Sequence, residues 1–300
     1  MPNIVSRGTM LPPNIVNGMI NLVRGKSSLA RLSAAEPVAF NGNEYFTFNF
    51  DNEVSIIGEN AAKQNGGVTV APVVVRPYKF EYGARFSDEF MIGSQEYQMD
   101  VLRQFAEGFS NKAARGMDIG AFHGLNPRTG AASTVIGDNH FDAKVTQTAT
   151  VTADASADVD SAVALVQGNE HDVTGMAMAP AFRTALSKLK KGTTSNEPMF
   201  PELGWGATPG VINGLPVDTN STVSFGANTK DRAIVGNFRD FFRWGFARGV
   251  EIKVIEFGNP DNDAEAGDLQ GHNQIYIRGE CYIGWGILVP NAFSRIIQGT

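Results

Sequence analysis

An α+β fold is predicted by three features of the 300-residue sequence. A strictly alternating aromatic run occupies Tyr45 to Phe50, a single long helical stripe runs from residue 94 to 122, and strand-like runs dominate the second half without βαβ repetition. No internal repeat is visible. A chain of this length buries about three quarters of its extended surface, so it needs neither disulfides nor a metal to hold a core. With 42% hydrophobic residues and no apolar run near the ~18 residues that span a bilayer, a membrane protein and a disordered chain are both excluded.

The elements follow in order. Residues 1–35 carry Arg7, Arg24, Lys26 and Arg31 and no acid, a charge of +4 against −10 for the remaining 265 residues. A basic arm preceding an acidic body suits a segment that lies on a neighbouring acidic copy. Residues 37–86 then read as an extended hairpin. Phe46, Phe48 and Phe50 share one face, Gly58 to Gly67 form the tip, and Val68 to Val75 return, with Pro72 and Pro77 marking an edge strand or bend. A two-stranded ribbon alone is marginal in water, so it must lie on something else.

Ser94 is the expected N-cap of the long helix, with Glu96 in its first turn and Leu102, Phe105, Phe109, Ala113 and Met117 as its core stripe. Gly124 and Asn126-Pro127 stop it. Beyond it the pattern predicts a strand or linker over 146–155, a helix over 159–166, a buried strand over 173–178 and a helix over 182–190. In that last helix Leu186 and Leu189 point inward, and Arg183, Lys188 and Lys190 outward. Strands are expected within 233–257 and 274–289.

Chemistry-bearing motifs are incomplete. Gly25-Lys26-Ser27 lacks the upstream glycine of a phosphate loop, since Ile20 stands there. Gly204 to Gly210 departs from a dinucleotide fingerprint in spacing and carries Pro209 where a helix should open. The four histidines have no ligand spacing, and Asp261 to Asp268 begins like a calcium loop but lacks its closing Glu, which makes a flexible acidic loop. Cys281, the sole cysteine, sits in an aromatic context that implies burial, and the chain lacks a secretory leader pattern. No catalytic, cofactor or metal residue is assigned, and the expectation is a protein that is not an enzyme. Charged residues at 19% fall below the ~25% of typical soluble domains, a composition that suits extensive subunit contact.

The succession of arm, projecting hairpin, long helix and β-rich second half resembles the major capsid proteins of tailed bacteriophages, a fold shared with encapsulin shells. Gly58-Glu59-Asn60, the descent from Val73 to Phe90, Gly214-Leu215-Pro216-Val217, Ala233 to Phe238 and Pro290-Asn291-Ala292-Phe293 carry the likeness. It implies an N-terminal arm (1–36), an extended loop (37–86), and a peripheral domain (87–145 and 230–280) with a spine helix over about 94–122. An axial domain (146–229 and 281–300) completes it. It further implies hexamers and pentamers in an icosahedral or prolate head around double-stranded DNA, assembled in the host cytoplasm. Scaffolding, portal and decoration proteins are possible partners, and the short arm implies a separate scaffold or none. The inter-subunit contact candidates are Arg7, Arg24, Lys26, Arg31, Phe46, Phe48, Phe50, Glu59, Lys63, Lys79 and Arg85. Asn237 departs from the Asp that many members carry. The competing readings are an encapsulin-like compartment shell and an enzyme with a dispersed site.

Overall fold

The computed structural model describes residues 26–50, 52–192, 195–226 and 230–299. Two sheets organise the chain. The first has strand order β1 (Asn43–Phe50), β2 (Val68–Ser87), β9 (Gln274–Ile287), β8 (Phe242–Ile255) and is antiparallel throughout. The second has order β3 (Thr148–Thr150), β10 (Phe293–Ile297), β7 (Asp231–Gly236), β4 (Gly175–Met178), β6 (Leu215–Thr219), β5 (Val211–Ile212). It is mixed, because β3 runs parallel to β10 and β4 parallel to β6.

The hairpin return is a single 20-residue strand. Pro72 and Pro77 do not bend it: residues 68–75 of β2 ladder with β1 and residues 76–87 with β9, so each position has one partner strand and a missing N–H is tolerated. The paired hairpin thus continues the four-stranded sheet outward for about 24 Å before the loop.

The long helix, α3 (Gln95–His123), starts and stops where its signals place it. Ser94 accepts the Tyr97 amide as N-cap, and Gly124 closes the helix at φ 66°, a conformation that favours glycine. Leu102, Phe109, Ala113 and Met117 are buried against the four-stranded sheet, while Phe105 is half-buried beside Tyr82 and Phe86. At the C-terminal end of α3, Phe122 packs on Phe141 of α4 (Phe141–Lys144), which meets Phe293 edge-on at 5.1 Å. Phe238 of the short helix Phe238–Phe241 and Phe242 complete this aromatic joint between the sheets. A second core lies at the six-stranded sheet, where Met176, Met178, Val235 and Ile296 pack with Ala162 of α5 (Ala155–Gln167) and Phe182 and Leu186 of α6 (Pro180–Ser187).

Several expectations need correction. The helix expected over 159–166 begins earlier, because Asp154 caps it by accepting the Ser156 and Ala157 amides. The helix expected over 182–190 is α6, opened by Pro180 in its first turn, and Arg183 does not point out to water but folds onto the Gly204 and Ala207 carbonyls. The borders at 230 and 280 do not follow the sheets: β7 belongs to the six-stranded sheet, and β9 passes unbroken through Cys281 in the four-stranded one. The arm also ends earlier than residue 36. Ser27, Ser28, Leu29 and Ala30 are buried around the short helix α1 (Ser28–Leu32), and Ala35 to Val38 run along β8, with the Glu36 amide on the Trp244 carbonyl at 2.8 Å. Arg7 and Arg24 lie outside the described residues.

Gly245 permits that last contact. A Cβ there would sit 1.6 Å from the Glu36 carbonyl oxygen, backbone that has no rotamer to change. Gly245→Ala should therefore expel residues 35–38 from β8 and destabilise the chain by about 2 kcal/mol or more, measured by urea unfolding of the unassembled subunit.

Candidate assembly surface and its anchors

The hairpin presents an apolar face that nothing among the described residues covers. Cross-strand register places Phe46 opposite Pro72, Phe48 opposite Val70 and Phe50 opposite Val68, so these side chains lie on one side of the ribbon. The three phenylalanines are 58%, 62% and 75% exposed, and Val68, Val70 and Val74 are exposed with them. Val54 and Ile56 extend the patch into the loop. The loop is turned back at Gly58 to Ala61, where the Ala61 amide donates to the Gly58 carbonyl, and Ser55 bonds Gln64 across it. Glu59 and Lys63 are exposed near this tip.

The remaining charged candidates divide. Lys26 is exposed at the root of the arm. Arg31 is spent within the chain on Asp218. Lys79 is half-exposed but pairs with Glu280 at 3.0 Å, in a cluster with Arg278 and Lys253. Arg85 is engaged throughout by its own chain. Its guanidinium donates to both Asp261 carboxylate oxygens, the Asn259 and Gln274 side chains, and the carbonyls of Ala266 and Gly267. The segment expected as a flexible acidic loop is wrapped around this cation, which holds Asp261 down at about 2.

Two buried polar clusters, neither visible in the motifs, anchor the surface to the body. Asp118, wholly buried on α3, accepts the Ser27 hydroxyl, the Ser28 backbone amide at 2.9 Å, the Leu29 backbone amide at 3.4 Å, the Thr222 hydroxyl at 3.2 Å and the Asn220 side-chain NH2 at 3.3 Å. Lys26-Ser27 thus leads into a helix cap on a carboxylate, the opposite of a phosphate site. Burial drives the Asp118 carboxyl up to about 7 against the pull of those donors. Beside it, Ser28 donates its hydroxyl to Asp218, which also takes Arg31.

One turn further on, His123 hydrogen-bonds the Thr222 carbonyl at 3.0 Å and Asp142 at 2.9 Å. His123, Asp142 and Asp231 come close enough to share a metal ion, a convergence of distant positions that sequence spacing does not reveal. Arg295, however, reaches Asp142 at 2.8 Å and Asp231 at 2.9 Å, so a guanidinium already balances the two carboxylates. Burial opposes ionisation of Asp142, yet His123, Asp231 and Arg295 outweigh it and hold that carboxyl low. Burial and the neighbouring Asp142 push Asp231 up. Cys281 is buried and its thiol is pushed up to about 12, which leaves no reactive thiolate. Asn237 caps the Phe238–Phe241 helix through its side-chain oxygen while its NH2 donates to Asp240 at 2.9 Å, a bond a carboxylate could not make. Among the described residues no helix is long and apolar enough to cross a membrane.

The sequence matches the model of the Phage capsid family over residues 7–296. Among solved structures the chain is similar to one from Mycobacterium phage Ogopogo, with 30% identity, 91% of this chain and 92% of that chain covered, and a TM-score of 0.79. One from Gordonia phage Cozz is 23% identical, with 100% and 92% covered and a TM-score of 0.74. A chain described as the capsid of an empty GTA particle is 13% identical, with 100% and 94% covered and a TM-score of 0.64. No curated protein matches significantly.

Asp118 makes the stability of the subunit depend on pH. Its folded value of about 7 exceeds the unfolded 3.8, so the native chain binds the proton more tightly and the group's contribution grows as pH falls from about 7 toward about 4. Asp118→Asn should flatten this slope, by on the order of 3 kcal/mol across that window, read from urea midpoints at pH 5 and pH 8. Asp118→Ala leaves the buried Ser27 and Thr222 hydroxyls without this acceptor and removes the same slope, so it should destabilise the subunit at both pH values and more at pH 5 than at pH 8.

Proposed function

Since the chain belongs to the phage capsid family, it is a major capsid protein that forms the shell of a phage head, and we propose that its hairpin and basic arm are the parts that lie on neighbouring subunits. The single observation that carries this reading is the apolar ladder of Phe46, Phe48, Phe50, Val68 and Val70, which stands exposed on a ribbon outside both cores. Covering each phenylalanine contributes about 2 kcal/mol, so the ribbon gains its stability from a second copy. Lys26, Arg7 and Arg24 carry the arm's charge toward the acidic body of a neighbour, and Glu59 and Lys63 meet a neighbour at the loop tip. Arg31 and Arg85 are structural within the chain, and Lys79 contributes through its cluster with Glu280.

In this reading the four-stranded sheet and α3 form the peripheral unit and the six-stranded sheet with α5 and α6 the axial unit. Subunits join as hexamers and pentamers of an icosahedral or prolate head, made in the host cytoplasm and enclosing double-stranded DNA. The net charge of −10 outside the arm suits an inner wall that repels rather than grips the packaged DNA. Scaffolding, portal and decoration proteins are the further partners this reading calls for. The family match favours this over a compartment shell or an enzyme.

Negative-stain electron microscopy of the purified chain, alone and with a co-expressed scaffold, should show closed shells or rings. Replacing Phe46, Phe48 and Phe50 together by Ser, or deleting residues 1–25, should leave folded, soluble subunits that no longer close shells. Undiminished shells from either variant would remove that segment from the assembly contacts. Deleting residues 1–35 instead takes Leu29 from the core and should unfold the subunit.

A further inference from the structure

Trp205 is fully exposed, whereas the other two tryptophans, Trp244 and Trp285, are wholly buried. The loop that presents it is firmly built. Leu203 is sunk in the second core, and Arg183 donates to the Gly204 carbonyl at 3.0 Å and to the Ala207 carbonyl, gripping the backbone on both sides of the tryptophan. The Ala207 amide closes a turn on Gly204, and Glu202 accepts the Asn213 amide at 3.2 Å. Met199 and Val211 expose apolar surface within the same stretch. A large side chain held in water on a preorganised loop is what an interface anchor requires, because little freedom remains to be lost on docking.

This loop leads into β5, one edge of the six-stranded sheet; the opposite edge is β3. There an open-sided cavity of about 470 Å³ lies between β3 and α5, walled by Thr148, Thr150, Ala157, Asp158, Ser161 and Leu165. The small side chains leave the room, and Leu165 stands half-exposed as an apolar wall. Ser161 gives its proton to the Ala157 carbonyl at 2.8 Å, so its oxygen keeps a lone pair for an indole N–H. Six strands separate the two edges by about 24 Å, so the loop cannot fill the cavity of its own chain.

We propose that Trp205 of one copy seats in the β3–α5 cavity of the next copy, a head-to-tail contact between opposite edges of the same sheet. A projection on one edge and a receptacle on the other make a heterologous interface, and repeating it by a constant rotation closes a ring. The contact rests on the capsid reading and adds to it the device that joins axial units within one ring, separate from the hairpin contact.

Because Trp244 and Trp285 are buried, tryptophan emission that acrylamide reaches in the free subunit comes from Trp205. In assembled particles that quenching should fall several-fold, and Trp205→Ala should raise the concentration at which particles form by at least about tenfold while Trp205→Phe raises it less. Chains carrying Gly204→Cys mixed with chains carrying Ser161→Cys should form a disulfide across copies that neither variant forms alone. Particles that assemble with Trp205 still fully quenchable, or crosslinks among Gly204→Cys chains alone, would overturn the contact and leave the shell reading intact. Failure of the wild-type chain to form particles even with scaffold would count against both.

Discussion

A polar side chain removed from water has to find hydrogen-bond partners, and the last turns of α3 hold two residues that impose this requirement. Asp118 draws together residues 27–29 and the turn at Asn220 to Thr222, while His123 grips the carbonyl of the same Thr222 and the side chain of Asp142. Thr222 serves both, with its hydroxyl on Asp118 and its carbonyl on His123. One end of one helix thereby joins the root of the arm, the four-stranded sheet on which α3 lies and, through Asp142, Asp231 and Arg295, the six-stranded sheet. The aromatic joint around Phe141 fills the space between these polar ties. Apolar packing there resists separation, and the hydrogen bonds dictate the angle at which the two sheets meet.

That rigidity gives the exposed parts their meaning. The hairpin is the outward half of β2, whose inward half is sewn to β9, so a load on the ribbon passes along one continuous strand into the sheet. In the proposed contact the apolar face meets a neighbour at a defined distance and direction, which a ribbon hinged at Pro72 and Pro77 could not provide. The two prolines are compatible with a straight strand because each faces a ladder on one side only.

Local signals were readable and distant ones were not. Ser94 and Gly124 bound α3 to within a residue of its expected limits, because a cap and a left-handed stop act within one turn. The alternation of Phe46, Phe48 and Phe50 foretold an unpartnered face, since period two needs no knowledge of the rest of the chain. By contrast, the partners of Asp118 lie about 90 residues before it and about 100 after it, and no spacing rule spans such separations. The strand signal over 274–289 was local as well, whereas the border at 280 came from the family resemblance and falls inside β9. Arg85 stands in the sequence as one more contact candidate, and only the fold reveals that six oxygens of its own chain surround it.

That arrangement around Arg85 has the form of an ion-binding loop whose ion is covalently part of the polymer. A loop filled by free calcium would loosen whenever the surrounding medium ran short of it, and its order would follow a binding curve. Here the cation is tethered on the adjoining strand, at an effective concentration no medium can dilute. The order of this corner of the subunit therefore owes nothing to the mineral content of the surrounding medium.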